Sequence, residues 1–180
     1  MLTRICICYA HEDEAFLKKL TIYLKPLQRE KVIDLWYDHK ISAGTEWEQE
    51  ITTHLDTAQL ILLLISPSFM ASDYCYSREM KRAIERHKQG DARVVPIVLR
   101  PTDWSNTPLG ELQALPEHGI AITSKKWINR DDAFYSIFNG LKKVIADINP
   151  NIALSSHKLI EDYSHNINVH KANVSSSPFF

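Results

Sequence analysis

The sequence predicts an α/β fold in which helices cover both faces of a parallel sheet. Short apolar segments of strand length alternate with amphipathic segments of helical period between residues 4 and 148, and this alternation is typical of parallel sheets. One segment, residues 59–65, is apolar at almost every position. Such a run indicates a strand that is buried on both faces in the middle of the sheet.

The first half of the chain alternates strand, helix, strand, helix, strand. Residues 4–9 form the first strand, and Asp13 is a candidate N-cap for the first helix. Residues 35–37 form a second, short strand, and residues 38–44 form a polar loop. The helix after this loop has an apolar stripe at helical spacing, and the central strand 59–65 follows it.

The second half continues the alternation. Residues 66–77 are predicted as a turn and a short irregular or helical piece. The helix over 78–88 is expected to stop at Gly90, because glycine suits the left-handed position after a helix. Residues 93–99 form the fourth strand. Its Pro96 lacks an amide donor, so this strand should lie near an edge of the sheet or contain a bulge.

The C-terminal part contains the last predicted elements of the domain, and a segment without helix or strand periodicity follows them. A long proline-containing loop leads to a brief fifth strand, residues 120–122, and a final amphipathic helix begins at Asp131 or Asp132. Beyond it the chain is rich in Asn, Ser and His and has few apolar residues. We therefore expect one domain over residues 1–148 and a flexible tail or linker over residues 149–180.

Composition excludes several classes of function. The 21 basic and 22 acidic residues leave a net charge of −1, so there is no basic field to bind nucleic acid. No apolar run approaches the ~20 residues that span a membrane, and no signal peptide precedes the first strand. Three cysteines, an odd and low number, argue against a disulfide framework. We expect a cytoplasmic protein without nucleic-acid or membrane partners.

The loops after the first three strands meet at one end of a parallel sheet, where α/β folds bind ligands. They lack the glycine-rich phosphate motifs, the G-x-S-x-G elbow and paired zinc ligands. What they contain are rings, hydroxyls and carboxylates, which suit an aromatic ligand bearing ribose. The candidate site residues are Tyr9, Ala10, His11, Asp38, Trp47, Ser66, Tyr74, Cys75 and Glu79.

Other roles for these residues stay open at this point. Glu79 can be a solvated acid favoured by the dipole at a helix N-terminus. Asp38 can cap its loop, and Trp47 can pack in the core. Ser66 can serve as a turn or cap residue.

Four segments together resemble a bacterial Toll/interleukin-1 receptor (TIR) domain. They are residues 9–13, residues 36–47, residues 65–79 and residues 95–101. The resemblance extends over roughly residues 1–147, and it depends on the order and spacing of the segments. It implies a flavodoxin-like fold with a five-stranded parallel sheet.

The resemblance also implies an activity. Enzymatic members of the family cleave the nicotinamide–ribose bond of NAD, and Glu79 matches their catalytic glutamate at the start of the third helix. NAD is then the substrate, and no cofactor or metal is required. The loop over residues 38–47 matches the loop that gates the site and mediates self-association. Cys75 stands where many active members carry tryptophan, and it is flanked by Tyr74 and Tyr76.

Two functions follow as expectations. The first is an NAD glycohydrolase of bacterial defence or signalling that is activated by self-assembly, under the control of an upstream sensor. The second is a non-catalytic module that recruits other copies of the TIR fold.

Overall fold

The computed structural model describes residues 2–38 and 47–150, without the side chain of Trp47. Four parallel strands form one sheet in the order β2-β1-β3-β4, which is the doubly wound order of flavodoxin-like folds. The strands are β1 (Thr3–Cys8), β2 (Ile33–Trp36), β3 (Leu60–Ile65) and β4 (Arg93–Val98). All six residues of β3 are fully buried, which confirms its predicted place in the middle of the sheet.

Helices cover both faces of this sheet. Helices α1 and α5 pack on one face, and α2 and α4 pack on the other. A short helix, α3, and a π-helical turn, Cys75–Met80, lead from β3 into α4. The helices are α1 (Glu14–Arg29), α2 (Trp47–Thr57), α3 (Pro67–Ala71), α4 (Lys81–Gln89) and α5 (Arg130–Ile148).

The expected fifth strand, residues 120–122, does not form within the described part of the chain. Two separate segments occupy the edge of β4 instead: the Val98 amide donates to the Leu115 carbonyl (2.8 Å), and the Ile122 amide donates to the Val98 carbonyl (3.0 Å). The 3₁₀ turn Glu117–Gly119 lies between them, and two of its residues have positive φ. Because this turn takes the chain out of the extended conformation, no continuous strand is possible here.

The position of Pro96 confirms the prediction that its strand lies near an edge. β4 is the last strand of the sheet, and the Pro96 carbonyl accepts from the Leu115 amide (2.8 Å) on the outer side. The amide that proline lacks would point to that same side. The ladder to β3 on the inner side is therefore complete, and the Leu99 amide continues it by donating to the Ile65 carbonyl (2.8 Å).

Helix ends follow local rules. Helix α4 ends at Gly90, whose φ of 80° is the predicted left-handed conformation. Helix α5 begins with a capping box between Asn129 and Asp132. Within residues 2–38 and 47–150, no helix has both the length and the apolar character needed to cross a membrane.

A buried arginine ties α4 to the end of α2. Arg86 is 7 % exposed, and its guanidinium donates to the carbonyls of Leu55 (2.6 Å), Ala58 (2.8 Å) and Asp91 (3.1 Å). The first two carbonyls lie at the C-terminal end of α2, where intrahelical donors are lacking. This contact fixes the two helices on the face of the sheet that also holds the Cys75–Met80 turn.

Replacing Arg86 with methionine should therefore destabilise the domain. The change leaves buried carbonyls without a donor, and we expect the free energy of unfolding to fall by about 2–4 kcal/mol, measured by urea denaturation. The matched control is Arg82→Met one turn earlier, which removes half-exposed ion pairs with Asp56 and Glu85 and should cost less than about 1 kcal/mol. Equal losses in the two variants would contradict the role given to Arg86.

Candidate active site

A pocket of about 500 Å³ opens at the carboxyl end of the sheet. The loops after β1, β2 and β3 form its walls, as expected for an open α/β sheet. The predicted residues that line it are Tyr9, Ala10, His11, Asp38, Tyr74, Cys75 and Glu79. The tertiary structure thus brings most of the candidate residues together around one cavity.

Glu79 lies in the π-helical turn and not at the start of a helix, because α4 begins only at Lys81. A π turn places one more residue in each turn than an α-helix does, and such turns are frequent at functional sites. The residue is 7 % exposed, so it is not a solvated acid. Its Oε2 atom is buried and has no hydrogen-bond partner among the residues that the structure describes. Among the described residues, no cation forms an ion pair with this carboxyl.

Burial has a direct electrostatic consequence for this carboxyl. Burial raises the pKa of Glu79 from its ordinary value of 4.5 to about 8, and the nearby charge of Asp38 contributes to this rise. A hydrogen bond with the Cys75 thiol acts in the opposite direction and lowers this pKa. Near neutral pH, Glu79 is therefore largely protonated in the fold.

Asp38 is joined to the loop after β1. The Tyr9 hydroxyl donates to Asp38 Oδ1 (2.6 Å), and His11 Nδ1 lies 3.8 Å from Asp38 Oδ2. Burial and the bond to Asp38 raise the pKa of Tyr9, so its hydroxyl stays a donor. These contacts join the loops after β1 and β2, and the carboxylate remains at the pocket wall. Asp38 thus links two loops, a wider role than capping its own.

Cys75 and Tyr74 form the wall next to Glu79. The Cys75 thiol lies 3.6 Å from the Tyr9 carbonyl oxygen, and burial raises its pKa to about 12. A thiol with this pKa is a poor nucleophile, so Cys75 serves as a small, neutral wall residue. Tyr74 is half-buried, and the Arg78 guanidinium lies 5.9 Å from the centroid of its ring.

Ser66 takes a different role from the expected substrate contact. It is fully buried; its hydroxyl donates to Asp13 Oδ2 and accepts from the Phe69 amide (3.0 Å), which caps α3. Asp13 precedes α1 as predicted, but its side chain makes no capping bond. The carboxylate of Asp13 instead accepts from Ser66 and from Arg100 Nη2 (2.8 Å). Ser66 is turned toward this buried acid, and its neighbour Ser68 lines the pocket.

Comparisons with known proteins identify the family. Residues 5–134 match the family described as TIR domain. This chain belongs to the TIR domain family. A bacterial relative, the "Uncharacterized protein y4lF" of Sinorhizobium fredii (strain NBRC 101917 / NGR234), is 43% identical over 135 residues. That match covers 75% of this chain and 41% of the relative, so the chain spans about two fifths of the length of this curated relative.

A solved structure supports the fold. The TIR domain of the Toll-related receptor TRR-2 from Hydra magnipapillata aligns with a TM-score of 0.56 at 18% sequence identity. The alignment covers 78% of this chain and 96% of the Hydra domain. The TIR fold, with its parallel sheet and helices on both faces, is therefore shown, and at this identity the likeness extends to the fold alone.

Several residues of this TIR domain site are not among the predicted site residues, and they include Trp36, Ser68 and Arg100. Trp36 and Ser68 line the pocket, and Arg100 donates to Ser68 Oγ (2.8 Å). Trp36 could have been found, since it ends β2 just before Asp38. Arg100 gave a weaker signal, a charged residue directly after a buried strand. The side chain of Trp47 lies outside the described residues, as do residues 39–46 of the loop that begins at Asp38, so their expected contacts stay predictions.

The buried carboxyl of Glu79 should make stability depend on pH. Its pKa of about 8 in the fold lies above the ordinary value of 4.5, so the folded state holds a proton that the unfolded state has lost. Stability is therefore lost as the pH rises from about 5 to above 8. Glu79→Gln has no ionisable group at this position and does not lose stability in this way. The unfolding free energy of the variant minus that of the wild type should therefore increase by about 3–5 kcal/mol between pH 5 and pH 9.

Thermal unfolding at pH 5, 7 and 9 measures this difference, because 1 kcal/mol shifts the Tm of a domain of this size by about 2–4 °C. Glu85→Gln removes an exposed carboxyl from α4 and provides the matched control. A gap between Glu79→Gln and wild type that stays constant across this pH range would show that Glu79 is ionised in the fold throughout.

Proposed function

We propose that this TIR domain is an NAD glycohydrolase in which Glu79 is the catalytic carboxylate. The observation that supports the proposal most is the state of that carboxyl: it is buried at the pocket wall, and its Oε2 atom has no partner among the described residues. A carboxylate that no cation of the described residues neutralises is available to a positive charge on a ligand. The pocket also presents aromatic rings and hydroxyls, which suit the rings and riboses of a dinucleotide.

The chemistry follows from where charge develops. Breaking the nicotinamide–ribose bond expels neutral nicotinamide and leaves an oxocarbenium-like ribose. A carboxylate beside that ribose stabilises the cation, and the low dielectric of a buried site strengthens the interaction. Glu79 would supply this charge, and Asp38 would accept hydrogen bonds from ribose hydroxyls. The pyridinium is already an activated leaving group, so NAD acts as the substrate and the reaction as proposed needs no separate cofactor.

The balance of the reaction is simple. Water adds to the anomeric carbon from which nicotinamide has left, and the products are nicotinamide, ADP-ribose and a proton. If an adenine nitrogen of the same molecule attacks instead, no water is consumed, and the products are nicotinamide, a cyclic ADP-ribose and a proton. Both routes begin with the same bond cleavage at the same carboxylate.

Regulation by self-association fits the placement of the site. Asp38 lies at the base of the loop over residues 38–47 and also at the pocket wall. Contacts between TIR domains at this loop would therefore act next to the pocket wall. We propose that TIR–TIR assembly activates cleavage in the bacterial cytoplasm, in defence or signalling, and that an upstream sensor controls it. The match covers 41% of the bacterial relative, so that protein has further sequence in which a sensor could lie.

Nicotinamide release from NAD, followed by chromatography at increasing protein concentration, tests the activity. The wild type should release nicotinamide more than in proportion to its concentration. Glu79→Gln and Glu79→Ala should reduce the rate by about 10²–10³-fold, the range for loss of a group that stabilises transition-state charge. Glu85→Gln should retain the wild-type rate. Equal rates in the wild type and both Glu79 variants would disprove the site assignment.

A wild type that releases no nicotinamide under assembly-promoting conditions would favour the alternative, a non-catalytic TIR–TIR interaction module. In that case, self-association should persist in Glu79→Ala without any turnover of NAD.

The pH profile tests the charge state of Glu79. The ionised form of Glu79 is the one that stabilises the oxocarbenium-like cation. The pKa of Glu79 in the fold is about 8. We expect kcat/KM to rise about tenfold per pH unit below that value and to level off above it, since kcat/KM reports the unliganded enzyme. Once NAD is bound, its pyridinium charge favours the ionised form of Glu79. The decline of kcat with falling pH should therefore begin at a lower pH than the decline of kcat/KM. A kcat/KM that is flat from pH 6 to pH 9 would contradict this role.

A further inference from the structure

Trp36 gives the pocket a large aromatic side chain at the end of β2. It is half-buried and lines the pocket that also contains Glu79. Its Cα pairs in register with that of Cys6 in β1, and its ring packs against the apolar cluster that includes Cys6 and Cys75. The indole therefore lies on the same face of the sheet as the π turn that positions Glu79.

A second ring fixes the indole in place. The imidazole of His54, on α2, stacks on Trp36 with ring centroids 4.2 Å apart and an interplanar angle of 12°. His54 in turn lies near a carboxylate, with Nε2 3.5 Å from Glu50 Oε2. The imidazole thus covers one face of the indole, and the Trp36 side chain also lines the pocket. A ring held in this way loses little conformational entropy when a ligand binds.

The other aromatic residues of the pocket are less suited to a positively charged ring. Tyr74 already has the Arg78 guanidinium 5.9 Å from its ring centroid, and a second cation there would be repelled. Tyr9 is only 6 % exposed, and its hydroxyl is bound to Asp38. Indole is also the best aromatic partner for a cation. The carboxyls of Glu79 and Asp38 add attraction for positive charge on this side.

We propose that Trp36, backed by His54, binds the pyridinium ring of the substrate and so holds the scissile bond next to Glu79. This inference rests on the proposed function and adds the residue that selects the nicotinamide end of NAD. Trp36 contacts the leaving group, and His54 acts through Trp36 as a positioning residue. Cys75 brings no ring to the pocket wall next to Glu79, so Trp36, which lines the same pocket, carries the aromatic contact.

A matched pair of ligands tests this assignment. Nicotinamide mononucleotide contains the pyridinium ring, and ADP-ribose lacks it. Both are titrated calorimetrically into the full chain carrying Glu79→Gln, so that turnover does not interfere. Adding Trp36→Leu should weaken binding of nicotinamide mononucleotide about tenfold or more and change ADP-ribose binding by less than about twofold. Trp36→Phe should recover most of the loss because it restores a ring.

Trp127→Phe is the control for general effects, since its indole lies away from the pocket and donates to the Ala121 carbonyl (3.0 Å). It should leave both affinities unchanged, and circular dichroism checks that each variant is folded. Equal weakening of both ligands by Trp36→Leu would mean that Trp36 only shapes the cavity, and unchanged binding would mean that another group holds the ring. Either result overturns the inference.

The two proposals fail in different ways. If wild-type protein releases nicotinamide in a Glu79-dependent manner and Trp36→Leu leaves KM and pyridinium binding unchanged, only the role of Trp36 is wrong. If the wild type neither cleaves NAD nor binds nicotinamide mononucleotide, the glycohydrolase proposal is wrong, and the role of Trp36 is wrong with it.

Discussion

The buried carboxylate of Asp13 joins the loops on which the pocket depends. It accepts from Ser66 in the loop after β3 and from Arg100 in the loop after β4, while Asp13 itself belongs to the loop after β1. Its side chain is 1% exposed, and these donors replace the water that the carboxylate loses on burial. Arg100 also binds Ser68 at the pocket wall. One ionic network thus sets the relative positions of three loops.

The domain contains two buried acids with opposite environments. Asp13 has an arginine and a hydroxyl as donors, whereas Glu79 has one oxygen without a partner among the described residues. The first arrangement stabilises the native state, and the second costs stability once Glu79 ionises. Proteins accept such a cost mostly where function requires it. The contrast separates a structural carboxylate from one that is poised for a ligand, although both lie near the same end of the sheet.

The TIR fold alone does not decide what the site does, because function resides in residues placed on a fold. The Hydra TIR domain shares this fold at 18% identity. In this chain the distinctive features are local. The small thiol of Cys75 lines the pocket together with Glu79, and the indole of Trp36, at the end of β2, lines it as well. The π turn at Cys75–Met80 contains Glu79, which is 7% exposed.

The sequence by itself determined the alternation of strands and helices, the buried middle strand, the stop at Gly90 and the gathering of candidate residues at one end of the sheet. These features follow from local periodicity, backbone preference and the direction of parallel strands. The tertiary structure decided the rest: the missing fifth strand, the π turn at Glu79, the Trp36–His54 stack and the partners of Asp13. Ser66 is 53 residues from Asp13 along the chain, and Arg100 is 87 residues away. A local pattern reports whether a side chain is buried, but the identity of its distant partner depends on how the whole chain packs.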